Sequence, residues 1–462
     1  MAALCIAFQN GRCNFGARCR FIHESVERLS ATEPSPGSSS VHVHTRQVSS
    51  TATPRNSSEK KAPGATNGPS LPKPSRGPSR EAARMLKGAG VLISTLYAEL
   101  PETPLQVGDP VEIKNCEFQA SYSWKDVEHP TIYVPSCPPK WSPPNGPFQM
   151  AKDRTKKTST GKRSPAAAVD PMFQALLHMH PDYNMTPIAL VTDRNSLRKL
   201  LTFASNGSGK WRIDVDMVGD TMFFSPWEDF RRMLINGQQD TGYGHEFEKH
   251  ITSVQPGMED VLCHDRVVRY NLGGMECLVR FEADAYVEDE NHLAAEDTSP
   301  INKAGRLESN EPRPSPPVLK PPYKLVHLIP RGQPVNPTSI VEIKSHSGLK
   351  PNTSKALPQL WISQTKLLCS GRHVHGLVTD ELRLRVMEEE LGRWRERNQG
   401  NLQNMMRVIR DIKAIAREQK RCTVICQKAD GRTSLRVYRG KGGEFAIRPE
   451  VVERCWGRWG GS

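Results

Sequence analysis

Three cysteines and one histidine lie within one short stretch near the start of the sequence, CIAFQNGRCNFGARCRFIH at residues 5–23. The spacing C-x7-C-x5-C-x3-H is formed by Cys5, Cys13, Cys19 and His23. Three thiolates and an imidazole make up the closed tetrahedral ligand set that structural zinc prefers. Because so short a segment has almost no apolar core, the metal has to supply its folding free energy. The spacing therefore predicts a zinc-dependent module at residues 1–24.

This spacing resembles that of the CCCH zinc-finger family, as do the glycines and aromatic residues between the ligands. Members of that family bind single-stranded RNA by stacking bases on aromatic rings and by hydrogen-bonding base edges to backbone groups. The resemblance implies stacking by Phe8, Phe15 and Phe21, and phosphate contacts by Arg12, Arg18 and Arg20. Single fingers also serve as protein-docking modules, so RNA binding by this finger is one of two interpretations.

The charge and cysteine content favour an intracellular protein with a polyanionic partner. The formal net charge is +13 and the pI is near 9.2, which favours RNA, DNA or an acidic surface. No stretch approaches the ~20 apolar residues of a spanning helix, and no apolar leader precedes Cys5, so we expect no membrane partner and no secretion. The expected location is the nucleus, the cytoplasm or both. Eleven cysteines in a reducing compartment indicate metal binding or burial.

Composition also predicts how the chain is divided. Ser, Pro, Thr, Gly and Lys dominate residues 25–85 and leave almost nothing to bury, which predicts a disordered linker. The remaining body, residues 86–456, contains two similar stretches, near 145–168 and 288–322, which predict disordered insertions.

Patterns typical of strands and helices alternate along the body. The stretch DRVVRYNLGGMECLVRFEADAYV predicts a hairpin turned at Gly273-Gly274, and CTVICQKADGRTSLRVYRG predicts a second hairpin. TSIVEIKSHS predicts a strand, whereas GYGHEFEKHITSV and residues 402–420 predict amphipathic helices. A mixed sheet flanked by helices, of α/β or α+β class, accounts for this alternation.

Two pairs of charged residues on the predicted strands suggest a reaction centre. Glu282 and Asp284 stand two residues apart, as do Glu342 and Lys344, so within a strand each pair points to one face. If the two strands are neighbours, three carboxylates and an ammonium converge, and a hard divalent cation is their natural counter-ion. Mg²⁺ or Mn²⁺ held there could polarise a phosphoryl oxygen and activate a water. Either pair taken alone is more typical of a solvated strand face.

The order of these motifs resembles the PD-D/E-x-K nuclease superfamily and, within it, the DXO-type RNA decapping and 5′-end pyrophosphohydrolase family, especially its fungal branch. The four matching motifs are YGHEFE at 243–248, FEAD at 281–284, VEIK at 341–344 and LWISQTKLL at 360–368. Upstream, the run that begins at Arg194, which the resemblance places on a strand, and the PTIYVP segment between Trp124 and Trp141 also resemble the family. The resemblance covers roughly residues 110–456.

The resemblance implies a nuclease-type mixed sheet with flanking helices, and it assigns catalytic positions to Glu248, Glu282, Asp284, Glu342, Lys344 and Gln364. By that assignment, Mg²⁺ or Mn²⁺ is held by Glu282, Asp284 and Glu342. Glu248 takes the adjoining carboxylate position and Lys344 the position of the catalytic lysine. Gln364 orients the nucleophile or the lysine, and Arg194 contacts RNA.

The family hydrolyses RNA 5′ ends, releasing pyrophosphate, incompletely methylated caps or NAD-like caps, and some members partner a 5′→3′ exoribonuclease. The resemblance therefore implies a metal-dependent RNA 5′-end hydrolase with an RNA-capturing finger and such a partner. The alternative is a non-catalytic RNA-binding protein that uses a nuclease-like fold as a platform. The interval between Asp284 and Glu342 is far longer than the family's. Paired strands tolerate a long loop at modest entropic cost, so the loop either leaves the site intact or caps the pocket.

Overall fold

The computed structural model describes residues 80–98, 109–127, 129–153, 167–227, 242–288, 325–349, 351, 353–429, 432–440 and 446–456. Every residue predicted for the finger lies outside these ranges, namely Cys5, Phe8, Arg12, Cys13, Phe15, Arg18, Cys19, Arg20, Phe21 and His23. Most of the predicted linker and of the two predicted insertions also lies outside them. Within these ranges, none of the helices combines the length and the apolar character needed to cross a membrane.

The α-helices of the described residues are numbered α1 to α8 in chain order: Arg80–Met85, Asp170–Met179, Arg194–Ala204, Gly244–His250, Leu357–Ser363, Glu388–Arg397, Gln399–Gln419 and Pro449–Trp456. The strands, numbered β1 to β19, are Ala89–Tyr97, Ile113–Lys125, Thr131–Pro135, Lys140–Trp141, Phe148–Gln149, Leu190–Asp193, Trp211–Val218, Thr221–Trp227, Thr252–Ser253, Val261–Leu272, Met275–Glu282, Ala285–Tyr286, His327–Arg331, Ile340–His346, Leu367–Arg372, Leu377–Val378, Leu384–Val386, Arg421–Ala429 and Arg432–Gly440. Short 3-10 helices span Pro337–Ser339 and Thr353–Lys355.

The larger sheet has eleven strands in the order β1-β19-β18-β7-β8-β6-β11-β10-β2-β3-β13. Both predicted hairpins are present, as β10–β11 and β18–β19. Gly273 and Gly274 turn the first hairpin with φ of 51° and 85°, a left-handed conformation that glycine adopts without strain. β6 pairs parallel with β8 and β11, so the sheet is mixed.

Helices cover both faces of this sheet. On one face α3, α5 and α7 pack over Val268, Val279 and their neighbours, and on the other α2 and α8 pack over Val267 and Leu278. The long helix α7 presents a buried stripe at intervals of three and four residues, Met405, Val408, Ile409 and Ile412. This three-layer arrangement confirms the predicted mixed sheet with flanking helices.

A second sheet has six strands in the order β17-β15-β14-β12-β4-β9. The chain passes from one sheet to the other directly after Glu282, the last residue of β11, because Ala285 already belongs to β12. The two-residue β12 is antiparallel to β14, although residues 289–324, between them in the chain, lie outside the described ranges. The paired strands expected around the long interval are therefore present.

One helix falls within the span that composition assigned to the linker. Residues 80–85, REAARM, form α1, and Met85 is buried against Ile425 and Tyr438 of the β18–β19 hairpin. Alanine, arginine, glutamate and methionine are strong helix formers, and this local preference is invisible to an argument from overall polarity.

Candidate active site

The junction between the two sheets brings Asp284 next to Glu342. Ala285 is opposite Val341 in the β12–β14 pair, so the preceding residue of one strand lies beside the following residue of the other. The backbone N–H of Ile343 donates to Asp284 Oδ2 at 2.8 Å, which fixes that carboxylate against β14. Two acidic residues 58 positions apart in sequence are thus neighbours because β12 pairs with β14 in the small sheet.

Lys344 lies between these two carboxylates. Its Nζ is 2.5 Å from Glu342 Oε1 and 3.4 Å from Asp284 Oδ2. The other oxygen of Glu342, Oε2, accepts from Arg194 Nη1 at 2.7 Å. Only 2% of the Glu342 side chain is exposed, so this ion-pair network is largely shielded from water. Asp284 and Glu342 therefore share one cation of the protein itself, the Lys344 ammonium.

The charges of these groups are strongly coupled. Burial by itself raises the pKa of Glu342, but Arg194 and Lys344 outweigh it and hold that pKa below its usual range. Burial and the adjacent Glu342 raise the pKa of Asp284 to about 8. Burial lowers the pKa of Lys344, yet Asp284 and Glu342 more than compensate and raise it. Lys344 is consequently an ammonium at neutral pH.

Glu282 and Glu248 extend this acidic cluster outward. The side chain of Glu282 is exposed at its surface. Desolvation by the neighbouring protein, and then the carboxylates of Asp265 and Glu248, raise the pKa of Glu282 to about 7. Glu248 is 37% exposed on α4, with Oε2 3.8 Å from His245 Nδ1. Burial of Phe247 among the small-sheet side chains anchors α4. The four predicted carboxylates therefore interact electrostatically within one region.

The start of α4 is fixed by a carboxylate from another part of the chain. Asp153 accepts hydrogen bonds from the backbone N–H groups of His245 and Glu246, at 3.3 and 2.9 Å. These are donors that the first turn of a helix leaves unsatisfied. Asp153 and Phe247 together set the position of the short helix that carries Glu248.

Two expectations about local geometry were wrong. Glu282 and Asp284 are not on one regular strand, because β11 ends at Glu282 and Asp284 belongs to the crossing between sheets. Arg194 is the first residue of α3 and not part of a strand; its side chain is 15% exposed and lies against Glu342 and the ring of Phe281, 5.6 Å away. The carboxylates of Glu282 and Asp284 nevertheless remain in one cluster because the chain bends toward β14.

A different glutamine from the predicted one contacts the acidic cluster. Gln364 follows the last residue of α5 with a left-handed φ of 54°, and its Nε2 donates to Trp361 O at 2.5 Å. Gln359, in the first turn of α5, has its amide between Glu342 and Arg198. With the amide nitrogen assigned to face Glu342, it donates to Oε1 at 2.7 Å, and the amide oxygen accepts from Arg198. Pro358 marks the first turn of a helix, so it was a usable signal for the position of Gln359.

Asp265 is a second residue that the sequence analysis missed. It lies directly opposite Glu282 in the β10–β11 hairpin and is 9% exposed. A hairpin turned at Gly273-Gly274 pairs residues symmetrically about the turn, so the turn alone could have identified this partner. Asp265 contributes further negative charge beside Glu282.

The donor set of this cluster suits a hard divalent cation. The groups are carboxylates, the ligands that Mg²⁺ and Mn²⁺ prefer, and two of them already share the Lys344 ammonium. Among the described residues, no three His, Cys, Asp or Glu side chains stand together in ligating geometry. Both oxygens of Glu342 are instead engaged by Arg194 and Lys344. Metal binding through Glu342 would therefore require Arg194 or Lys344 to release one oxygen of that carboxylate.

The fold is that of the DXO-type enzymes, which confirms the resemblance seen in the sequence. Rai1 of Scheffersomyces stipitis, in complex with (3′-NADP)⁺ and calcium ion, is similar with 13% identity and a TM-score of 0.51, covering 79% of this chain and 100% of that one. Rai1 of Candida albicans in complex with pU5-Mn²⁺ has 12% identity and a TM-score of 0.49, covering 79% and 98%. Rai1 of S. pombe has 12% identity and a TM-score of 0.47, covering 74% and 99%.

A family model described as "Domain of unknown function (DUF8563)" matches residues 108–456. The match spans more than half of the 462 residues, and the chain belongs to this family. The model for the zinc finger of C-x8-C-x5-C-x3-H type (and similar) matches residues 2–24, so the chain also carries a CCCH finger, which implies zinc. No curated protein matches the sequence significantly.

Proposed function

We propose that the chain is a divalent-metal-dependent hydrolase of RNA 5′ ends, with a CCCH finger that captures the RNA. The observation that carries the proposal is the shared contact of Asp284 and Glu342 with one ammonium, Lys344, at the junction of two sheets. The Rai1-like fold and the basic net charge of +13 support it. Rai1 of S. stipitis holds a nucleotide and a calcium ion, and we extend both kinds of ligand to this chain.

In this proposal Glu282, Asp284 and Glu342 hold Mg²⁺ or Mn²⁺, and Glu248 lies at the edge of the same site. A divalent ion supplies Lewis acidity at a phosphoryl oxygen and lowers the pKa of a bound water. Burial and then the negative charge of Glu342 raise the pKa of Asp284. A divalent ion held beside this carboxylate would lower that pKa and favour the ionised form.

Lys344 acts as a fixed positive charge in this mechanism. Because its pKa is raised, it does not serve as a base at neutral pH. Its ammonium is held by Asp284 and Glu342, so it is pre-oriented to stabilise negative charge that develops on a phosphoryl group. Arg194 holds Glu342 from the other side through a hydrogen bond from Nη1 to Oε2.

In this proposal the finger binds the RNA, and the body, residues 86–456, hydrolyses its 5′ end. A tether between them raises the local concentration of the RNA 5′ end near the acidic cluster. We include in the proposal a 5′→3′ exoribonuclease partner, which would consume the monophosphorylated product, and a nuclear or cytoplasmic location.

The test is hydrolysis of defined 5′ ends by the full chain in Mn²⁺ or Mg²⁺. Substrates are RNAs with a 5′-triphosphate or a 5′-NAD cap, and released pyrophosphate or NAD is quantified. We expect the Glu342→Gln variant to lose roughly 100-fold or more of the rate. The matched control is Glu389→Gln, which changes a side chain that is 82% exposed on α6, and it should keep the wild-type rate.

The alternative is a binding platform without catalysis. It is favoured by one observation, that Arg194 and Lys344 already neutralise both oxygens of Glu342. Absence of product from the wild type with either metal, or equal product from Glu342→Gln, would establish this alternative. Retained binding of the same RNAs would then separate a platform from an inactive preparation.

A further inference from the structure

A second arginine lies beside the acidic cluster. Arg198 is one helical turn after Arg194 on α3, so both side chains lie on the same face of that helix. Arg194 is paired with Glu342, whereas no carboxylate of the described residues lies within 4.0 Å of the Arg198 guanidinium. Arg198 is thus a cation next to the site that lacks a direct anionic partner in the described part of the chain.

Neutral groups hold the Arg198 side chain in place. Its Nη2 donates to Asn195 Oδ1 at 3.3 Å, and its Nη1 donates to the amide oxygen of Gln359. Since the same amide donates to Glu342, Gln359 links the guanidinium to the acidic cluster. A guanidinium has five N–H donors, and these two contacts leave the others for a ligand.

The electrostatic surroundings of Arg198 are those of an uncompensated positive charge. Burial and then the neighbouring Arg194 lower its pKa, and Glu342 offsets this only in part. Its Nε has no hydrogen-bond partner among the described residues and is not fully buried. A half-buried, planar guanidinium with an open N–H donor can contact the oxygens of a phosphoryl group in a bidentate manner.

We propose that Arg198 binds a second phosphoryl group of the RNA 5′ end, adjacent to the one that faces the carboxylates, and so sets a preference for 5′-polyphosphorylated RNA. This inference rests on the proposed function in that its ligand is the same RNA 5′ end. Arg198 lies one turn of α3 beyond Arg194, and the Gln359 amide connects its guanidinium to Glu342. Gln359 is a positioning residue in this arrangement, because it acts through Arg198.

Measurements of RNA affinity test the role of Arg198 without requiring the protein to hydrolyse the RNA. Three RNAs of one sequence carry a 5′-α,β-methylene triphosphate, which cannot be cleaved between the first two phosphates, a 5′-monophosphate or a 5′-hydroxyl. Their affinities for the full chain in Mn²⁺ are measured by fluorescence anisotropy. Contacts to the rest of the RNA, including those of the finger, are common to all three and cancel in the ratios.

We expect the wild type to prefer the triphosphate analogue over the monophosphate, and Arg198→Gln to reduce that ratio by about tenfold or more, since a charge-assisted contact is lost. Arg198→Lys keeps the positive charge but loses the planar, bidentate arrangement of N–H donors, so an intermediate ratio is expected. The control is Arg417→Gln, an exposed arginine on α7 paired with Asp220, which should leave every ratio unchanged.

Two results would overturn the inference. One is an unchanged triphosphate-to-monophosphate ratio in Arg198→Gln or Arg198→Lys, whichever variant keeps the wild-type melting temperature. The other is an equal loss of affinity for all three RNAs. If hydrolysis fails but the ratio depends on Arg198, the proposed catalysis is wrong and this inference stands.

Discussion

Arg194 Nη1 donates to Glu342 Oε2 at 2.7 Å and joins the first residue of α3 to the centre of β14, 148 positions further along the chain. The contact fastens a helix that packs on the large sheet to a strand of the small sheet. The proposed metal site and the proposed phosphoryl site beside it both depend on this contact between the two sheets.

Removal of Arg194 should destabilise the body. In Arg194→Met the nearly buried Glu342 loses one of its cations, and loss of one partner of a buried pair is costly. Because Lys344 and Gln359 still contact Glu342, we expect a loss of about 2–3 kcal/mol in the free energy of unfolding, measured with urea. The double variant Arg194→Met, Glu342→Gln should recover part of it, and strict additivity in this cycle would contradict the coupling.

Substitution of Gly371 should disturb the helix that carries Glu248. A Cβ added at Gly371 would overlap the buried ring of Phe247, which anchors α4. We expect Gly371→Ala to cost about 2 kcal/mol of stability, since overpacking forces a buried aromatic ring to shift. Gly392→Ala on α6 is the matched control because a Cβ there meets nothing within 4 Å. Equal melting temperatures for the two variants would contradict this account of the packing.

Substitutions of Gln359, within α5, and of Gln364, directly after α5, should affect the hydrolysis rate differently. Gln359→Ala removes the amide that bridges Glu342 and Arg198, so the hydrolysis rate should fall by roughly tenfold. Gln364→Gly should keep the rate and change stability by less than about 1 kcal/mol, because glycine suits the left-handed φ of 54°. Loss of activity in Gln364→Gly alone would instead support the role that the sequence assigned to Gln364.

Acid should destabilise the protein through His264. Burial, reinforced by Arg266, holds the pKa of His264 well below its usual range in the folded state. Its Nδ1 is 2.9 Å from Ser123 Oγ, and its Nε2 has no partner among the described residues. Below pH ~6.5 the unfolded chain binds a proton at His264 that the folded chain excludes, so the contribution of His264 to stability falls as the pH drops and is constant above that point.

The measurement is the free energy of unfolding between pH 7.5 and pH 5. His264 should contribute a slope of up to about 1.4 kcal/mol per pH unit below pH ~6.5, and His264→Gln should lack this contribution. The exposed His129→Gln serves as the control. The same slope in His264→Gln and in the wild type would count against the buried neutral imidazole.

The finger should bind RNA independently of the 5′ end. Cys19→Ser in the full chain removes one predicted zinc ligand, so we expect loss of bound zinc and at least about a tenfold drop in affinity for a 5′-hydroxyl RNA. The melting temperature of the body should not change. Undiminished RNA binding after this substitution or after chelation would point to the protein-docking interpretation.

Much of the fold could be predicted because its signals are local. Alternating apolar residues and a Gly-Gly turn specify the β10–β11 hairpin, and a stripe of apolar residues at three and four positions specifies α7. The same locality explains the errors. Glu282 and Asp284 looked like neighbours on a strand because nothing local marks a change of sheet, and Gln359 was missed because it lies just before the matching motif at 360–368.

Short-range patterns were enough to specify the ligand spacing of the finger, the hairpins, the amphipathic helices and the residue types of the acidic motifs, since each of these depends on intervals of a few residues. The folded arrangement was needed to show that Asp284 and Glu342 share Lys344, that Arg194 belongs to the same network, and that Gln359 and Arg198 lie beside it. These contacts join segments of different sheets and helices. Their geometry follows from how the layers pack, which a short-range pattern does not encode.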